Sequence, residues 1–355
     1  MTIQSITQDC IQLLKDLVST PSFSSEEDKT AEILYNFFFF FYLNPVRKKN
    51  NIWAWSTNSD SENAPVILLN SHHDTVRFGE GWLTPPTEAV EKDGIIYGLG
   101  SNDAGASVVS LLGTFIYLSK LSSLPYKLAI AITAEEEVSG VDGIRLTLPE
   151  LGKIDLGIVG EPTEMHGAIA EKGLIVLDCI AHGKSGHAAR DEGENAIYKA
   201  LQDIDFFRNH PFTKESPVLG KTKMTVTQIN AGSQHNVIPE RCHFVVDIRT
   251  NELYNNLEVI EEIKKHIVSE VTPRSYHLNS SRIDIEHPLV QKLIKMGRRT
   301  YGSPTLSDQS MMNFTTIKMG PGHSNRSHTA NEFIKISEIE EAIQLYIELL
   351  EDFRF

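Results

Sequence analysis

Near the start of the chain, apolar residues recur every three or four positions. Ile6, Cys10, Leu13, Leu14 and Leu17 share one face, and residues 5–42 read as helical. Pro21 breaks the pattern, and Ser24-Ser25-Glu26-Glu27 offers a new helix start. Further on the pattern changes. Residues 65–70, 127–133 and 154–159 are continuous apolar runs, as expected of strands buried on both faces of a parallel sheet. Between the first two, the small-residue stretch 104–118 is long and periodic enough to be a crossover helix. Buried strands alternating with helices predict an α/β fold, three layers deep around a mostly parallel sheet.

From about Gly173 to Ser281 the strands instead alternate in polarity: 174–180, 224–229 and 242–248, with helical stretches at 196–207 and 256–269. That β-α-β-β-α order predicts a two-layer α+β domain, ferredoxin-like, with one sheet face exposed. Amphipathic helix returns at 288–301 and 337–353. The expected organisation is a catalytic domain built from 1–172 and 282–355, with 173–281 inserted as a lid or dimerisation domain.

With 355 residues, the chain exceeds what one hydrophobic core usually supports, in keeping with two domains. Its formal charge of -14 argues against a nucleic acid or anionic membrane as partner, since both demand a basic face. Cys10, Cys179 and Cys242 are scattered and odd in number, so they build neither a disulfide framework nor a thiolate metal site. The N-terminal residues lack a basic stretch followed by an apolar one, and the apolar run 37–43 is too short to cross a bilayer. The expectation is a cytoplasmic protein.

The chemistry sits where predicted strands end. His72-His73-Asp74 follows the first apolar run, Asp103 follows a glycine-rich turn, Glu135-Glu136-Glu137 follows the second run and Glu161 the third. An open α/β sheet places its ligands at the C-terminal ends of its strands. Each fragment alone is more often a solvated residue; their recurrence at successive strand ends points to one acidic, imidazole-containing pocket. Oxygen and imidazole donors without thiolate suit zinc, cobalt or manganese. A carboxylate can bridge two such ions about 3.5–4 Å apart.

These segments, with Gly183–Ala189, Asn236–Arg249 and Gly320–Glu332, make the chain resemble the M20 family of metallopeptidases and deacylases over nearly its whole length. The resemblance implies two divalent ions, zinc first and cobalt as an alternative. His72 and Glu161 would hold one, Glu137 and His328 the other, with Asp103 bridging and a cis peptide following it. Glu136 would be the general base, and Asp74 would orient His72. His187 would stabilise the oxyanion, reaching across from the partner subunit in dimeric members, so a homodimer through the inserted domain is expected. Asn236 and Arg249 would contact substrate, although Arg249 after Asp247 could equally form a structural ion pair. Arg326, two residues before His328, is a further candidate for holding a substrate anion. Departures from the family pattern are Glu135 where an Asp is usual, Arg190 after Ala189, and the lack of Phe in Gly81–Pro86.

The implied reaction is hydrolysis of an N-acyl amino acid, with the arginine-pathway substrates N-acetylornithine and N-acetyl- or N-succinylcitrulline expected first. Desuccinylation of succinyl-diaminopimelate and di- or carboxypeptidase activity are the alternatives within the family. An inactive homologue serving as a binding protein is the reading from another class, and such proteins usually lose ligands that here are all present.

Overall fold

The computed structural model describes residues 2–355; Met1, at the head of the expected 1–172 segment, lies outside the described residues. The chain divides into two compact units, one of Met1–Ile169, Arg282–Tyr301 and Ser307–Phe355, the other of Ala170–Ser281 and Gly302–Leu306. The short Gly302–Leu306 segment clusters with the second unit, where Lys172 donates its N–H to the Ser303 carbonyl at 3.1 Å.

The first unit is α/β. Strands Lys127–Thr133, Val66–His72, Leu156–Val159 and Thr316–Lys318 run parallel in that order, and Asn51–Trp55 joins antiparallel at the Lys127–Thr133 edge. The near-unbroken apolar character of these strands follows from burial on both faces. Ile67, Leu69, Ile130, Ile132 and Ile158 enter one core, while Leu68, Ala129, Ala131 and Val159 enter another. The first core is closed by helices Ile3–Val18, Ala106–Leu118 and Ile336–Leu350. Ala106–Leu118 is buried on nearly every side, and Gly113 permits the approach of its neighbours: a Cβ there would meet Ile343 at 3.0 Å and Cys10 at 3.1 Å. On the other face, Ile144–Leu151 supplies Ile144 and Leu151. The result is three layers.

The second unit has its own core. Its antiparallel sheet runs Lys223–Ala231, Arg241–Thr250, Gly173–His182, Glu270–Pro273, with helices Ala196–Asn209 and Asn256–Lys264 on one face. Strand order and connectivity are ferredoxin-like. Burial alternates along Gly173–His182, as its polarity pattern predicts.

The 5–42 stretch is two helices, Ile3–Val18 and Asp28–Phe40, interrupted around Pro21 as the sequence indicates. Two expectations from periodicity shift. The helix expected over 288–301 ends at Lys295, because Gly297 (φ 80°) takes a left-handed turn, and Thr300–Ser303 becomes a strand. The helix expected over 256–269 ends at Lys264; the apolar signal continues because Ile267 still packs into the core. Among the described residues no helix is long and apolar enough to cross a membrane.

Candidate metal centre

The register of the parallel strands decides the site. His72 closes its strand opposite Thr133, so the loops after both strands leave the sheet at the same edge. Asp74, Glu136 and Glu137 are carried on those loops, and Glu161 follows the adjacent strand Leu156–Val159. The Glu161 backbone is closely covered by Gly320: a Cβ at that glycine would lie 2.6 Å from the Glu161 carbonyl oxygen.

His72 is 1% exposed. Its Nδ1 lies 3.1 Å from the Asp74 backbone oxygen and 3.4 Å from Asp74 Oδ1. Both partners only accept, so Nδ1 carries the ring proton and Nε2 turns a lone pair to the cluster. Around Nε2 stand Asp103 Oδ1 at 3.5 Å, Glu161 Oε1 at 3.6 Å and Glu136 Oε2 at 3.8 Å. The other oxygen of Asp103, Oδ2, lies 3.6 Å from His328 Nε2, which in turn sits 3.0 Å from Glu137. Asp103 therefore stands between two imidazoles, one oxygen towards each. His328 and Glu135 (each φ 57°) hold the left-handed backbone conformation that is uncommon outside glycine. The Asp103–Ala104 peptide is cis.

Most of these separations exceed a hydrogen bond. They match the edges of a tetrahedron of donors about 2.0–2.2 Å from a metal, which are about 3.3–3.6 Å long. Within the described residues two sets of three side chains could hold an ion, His72–Asp103–Glu137 and His72–Glu136–Glu161. The electrostatics agree. Burial, and then the charge of Asp103, raise Glu161 to about 8. Burial also raises Glu136 well above the usual carboxyl range, with Glu161, Asp308 and Glu137 adding to the effect. The His72 imidazolium is disfavoured by burial, yet Glu136, Asp103, Asp74 and Glu161 outweigh this and raise its pKa. His328 is raised to about 9, chiefly by its bond to Glu137. Carboxylates packed this closely without enough positive charge call for cations, and nitrogen and oxygen donors around a shared carboxylate fit a pair of divalent ions.

Asp74 does more than face His72. Its carboxylate accepts the backbone N–H groups of Glu136 at 3.0 Å and Glu137 at 3.2 Å, and the Ser24 hydroxyl at 2.8 Å. One side chain thus positions an imidazole and the acidic turn together. Glu135 points elsewhere, accepting from the Ser25 hydroxyl and the Asp142 N–H. Its extra methylene relative to Asp is taken up in that loop contact and leaves the cluster intact.

Two buried acids were given no role from sequence. Glu332 accepts the N–H groups of Asn102 at 2.8 Å and Asp103 at 2.9 Å, fixing the backbone that presents Asp103. Burial and the Asp103 charge raise it to about 8. Asp308 accepts the Thr133 hydroxyl at 2.8 Å, and burial raises it to about 7. Glu332 lies within the Ser327–Glu332 run that carries His328, but nothing in a sequence says which acid turns inward.

The second unit places His187 on a short strand, Gly186–His187, paired with Val237–Ile238, and the Ala188 N–H donates to the Asn236 carbonyl at 3.0 Å. His187 and Asn236 are thereby neighbours, both exposed. Arg249 is engaged by Asp247 through Nε at 2.9 Å and Nη2 at 3.0 Å, the ion pair that its sequence position allowed. Arg326, the further candidate for a substrate anion, has its guanidinium bound bidentately by Glu338 at 2.7 and 3.1 Å and placed 4.3 Å from the centre of the Phe333 ring. A substrate anion would have to displace that partner.

The sequence profile described as peptidase family M20/M25/M40 matches residues 68–352. Acetylornithine deacetylase of Proteus mirabilis is 27% identical over 97% of this chain and 96% of its own length. Succinyl-diaminopimelate desuccinylase of Helicobacter hepaticus is 25% identical over 97% of each. In fold, a dinuclear metal binding peptidase of the M20 family from Bacillus subtilis superimposes with a TM-score of 0.73 at 17% identity, covering 99% of this chain and 100% of that one. A family profile spanning most of the chain and a fold shared end to end lead to one conclusion: this protein belongs to peptidase family M20/M25/M40, a family of dinuclear metal-dependent hydrolases, and is an amide-bond hydrolase of that kind.

Proposed function

We propose that the protein is an arginine-pathway deacylase, hydrolysing the amide of N-acetylornithine or of N-acetyl- or N-succinylcitrulline. The observation that carries the hydrolytic part is the placement of Asp103, with one oxygen 3.5 Å from His72 and the other 3.6 Å from His328. His72 and Glu161 would hold one ion, His328 and Glu137 the second, and Asp103 both. Zinc is the first choice and cobalt the second, on the nitrogen and oxygen character of the donors. Such ions, when bound, acidify a water and polarise an amide carbonyl.

The chain's own groups supply the rest. Glu136 stands on the rim of the cluster, 3.8 Å from His72 Nε2, and burial raises its proton affinity. It would take the proton of the attacking water and deliver it to the departing amine, which cannot leave as an anion. Asp74 holds His72 and the Glu136–Glu137 turn in register for that transfer. His187 is the proposed donor to the oxyanion and Asn236 a substrate contact. Arg249 would serve a substrate carboxylate only by sharing itself with Asp247. The exposed edge strand Lys223–Ala231 supports a homodimer through the second unit, since an open edge offers unpaired backbone groups to a second copy. A cytoplasmic location completes the proposal.

The test is metal content together with hydrolysis of acetylornithine, acetylcitrulline, succinylcitrulline and succinyl-diaminopimelate, with zinc or cobalt supplied. Cleavage of the diaminopimelate compound alone would move the protein to the lysine-pathway reaction. Cleavage of di- or tripeptides alone would make it a peptidase. Two bound ions with no hydrolysis of any of these would leave the binding-protein reading.

A further inference from the structure

One residue after Glu161 the chain begins to line a cavity of about 350 Å³, whose wall includes Thr163, Glu164, His166, Arg299, Tyr301 and His323. The notable group in it is Arg299. Its Nε and Nη2 lie 3.2 and 2.9 Å from His166 Nε2, so the guanidinium is held by a ring nitrogen. Among the described residues no carboxylate lies within 4 Å of it. The adjacent Arg298 is different, being paired with Glu341. Burial, Arg299 and Arg298 all depress the His166 pKa, which keeps the ring neutral and able to accept. The arginine, itself exposed, is thus oriented by a neutral ring and has no carboxylate partner to displace.

The one acid of the wall, Glu164, faces His323 Nε2 at 3.5 Å. Pro162 and the Tyr301 ring give the cavity an apolar wall beside the charge. Pro162 directly follows Glu161 and Thr163 bridges to His323, so this wall of the cavity continues from the metal centre along the chain. An oriented guanidinium without a carboxylate partner, in the same cavity as an apolar wall, suits a short methylene chain ending in a carboxylate, which its planar fork binds through two parallel bonds.

We propose that this cavity receives the acyl group of the substrate, that the acyl group ends in a carboxylate, and that Arg299 is the specificity-determining residue that reads this charge. The inference rests on the deacylase reading above and narrows it to succinyl-type substrates. The carboxylate of the amino-acid part is a separate group.

The experiment compares kcat/KM for succinylcitrulline and acetylcitrulline in the zinc-loaded full chain and in its Arg299→Gln and Arg299→Lys variants. The unchanged protein is expected to prefer the succinyl compound. The succinyl-to-acetyl ratio should fall by about tenfold or more in Arg299→Gln and recover in part in Arg299→Lys, which restores charge without the fork. A ratio that moves by less than about threefold in Arg299→Gln overturns the proposal. A second measurement needs no variant: free succinate should inhibit the unchanged protein at about tenfold lower concentration than succinamate, whose far end is neutral, and equal inhibition also overturns it. If neither substrate is cleaved, the deacylase reading falls and takes this one with it. If both are cleaved with an unchanged ratio, only the role of Arg299 falls.

Discussion

Removing the metal ions should make the stability of this protein fall as pH rises between 6.5 and 8. Glu161 and Glu332 are ordinary carboxyls with a usual value of 4.5, each raised to about 8 by burial and by the charge of Asp103. In the metal-free folded protein they keep their protons across this window, whereas the unfolded chain has released them. A group whose folded pKa is raised lends its full stability below the unfolded value and loses it as pH climbs to the folded one. Each retained proton is worth about 1.4 kcal/mol per pH unit, so each of the two residues loses about 2 kcal/mol between pH 6.5 and 8. Both respond to the same Asp103 charge, so their joint effect lies between about 2 and 4 kcal/mol. His328, raised to about 9, acts in the same direction. His73, which burial lowers to about 4, acts oppositely, but only below pH 6.5, and this sets the lower limit of the window. For a domain of this size the loss corresponds to a drop in Tm of about 5–15 °C. Divalent ions would keep the ligand carboxylates charged throughout and flatten the curve. Thermal melts followed by circular dichroism at fixed ionic strength, with chelator or with zinc, measure both curves. Chelated and zinc-loaded melts running parallel over this range would refute the reasoning.

Glu136→Gln should lower kcat by about 10²–10⁴ while two ions per chain remain bound, checked by steady-state kinetics and elemental analysis; a loss below about tenfold would remove Glu136 from the role of base. Arg326→Ala breaks the bidentate pair with Glu338 and the contact with Phe333, and should destabilise the first unit by about 1–3 kcal/mol in denaturant melts. Its kcat/KM on the best acyl amino acid should stay within about threefold, and a larger loss would return Arg326 to the substrate.

The alternation of buried strands and helices was legible because each strand is short, apolar throughout and followed by a polar loop. Lys127–Thr133 has the very limits its composition marks. The strands Gly167–Glu171 and Thr316–Lys318 escaped notice because three to five residues carry too little periodicity to separate from their surroundings. The shortened helix after Pro288 escaped for a different reason: Gly297 reads as a tolerable helix residue until its φ is known.

The contrast at the site follows the same physics. Sequence pattern alone put His72, Glu136, Glu137 and Glu161 after predicted parallel strands and Asp103 after a glycine-rich turn, whereas His328 was expected only from the family resemblance. Tertiary structure alone decided what each neighbouring charge does. Arg326 lies two residues from His328 yet turns to Glu338, Arg249 turns to Asp247, and Arg299, which no motif marks, is left facing a neutral imidazole. Glu332 and Asp308 became supports only because the fold buried them beside Asp103 and Thr133. The reason is range: backbone pattern is written in residues three or four apart, whereas the partner of a charged side chain is the nearest opposite charge in space, and only the fold sets that distance.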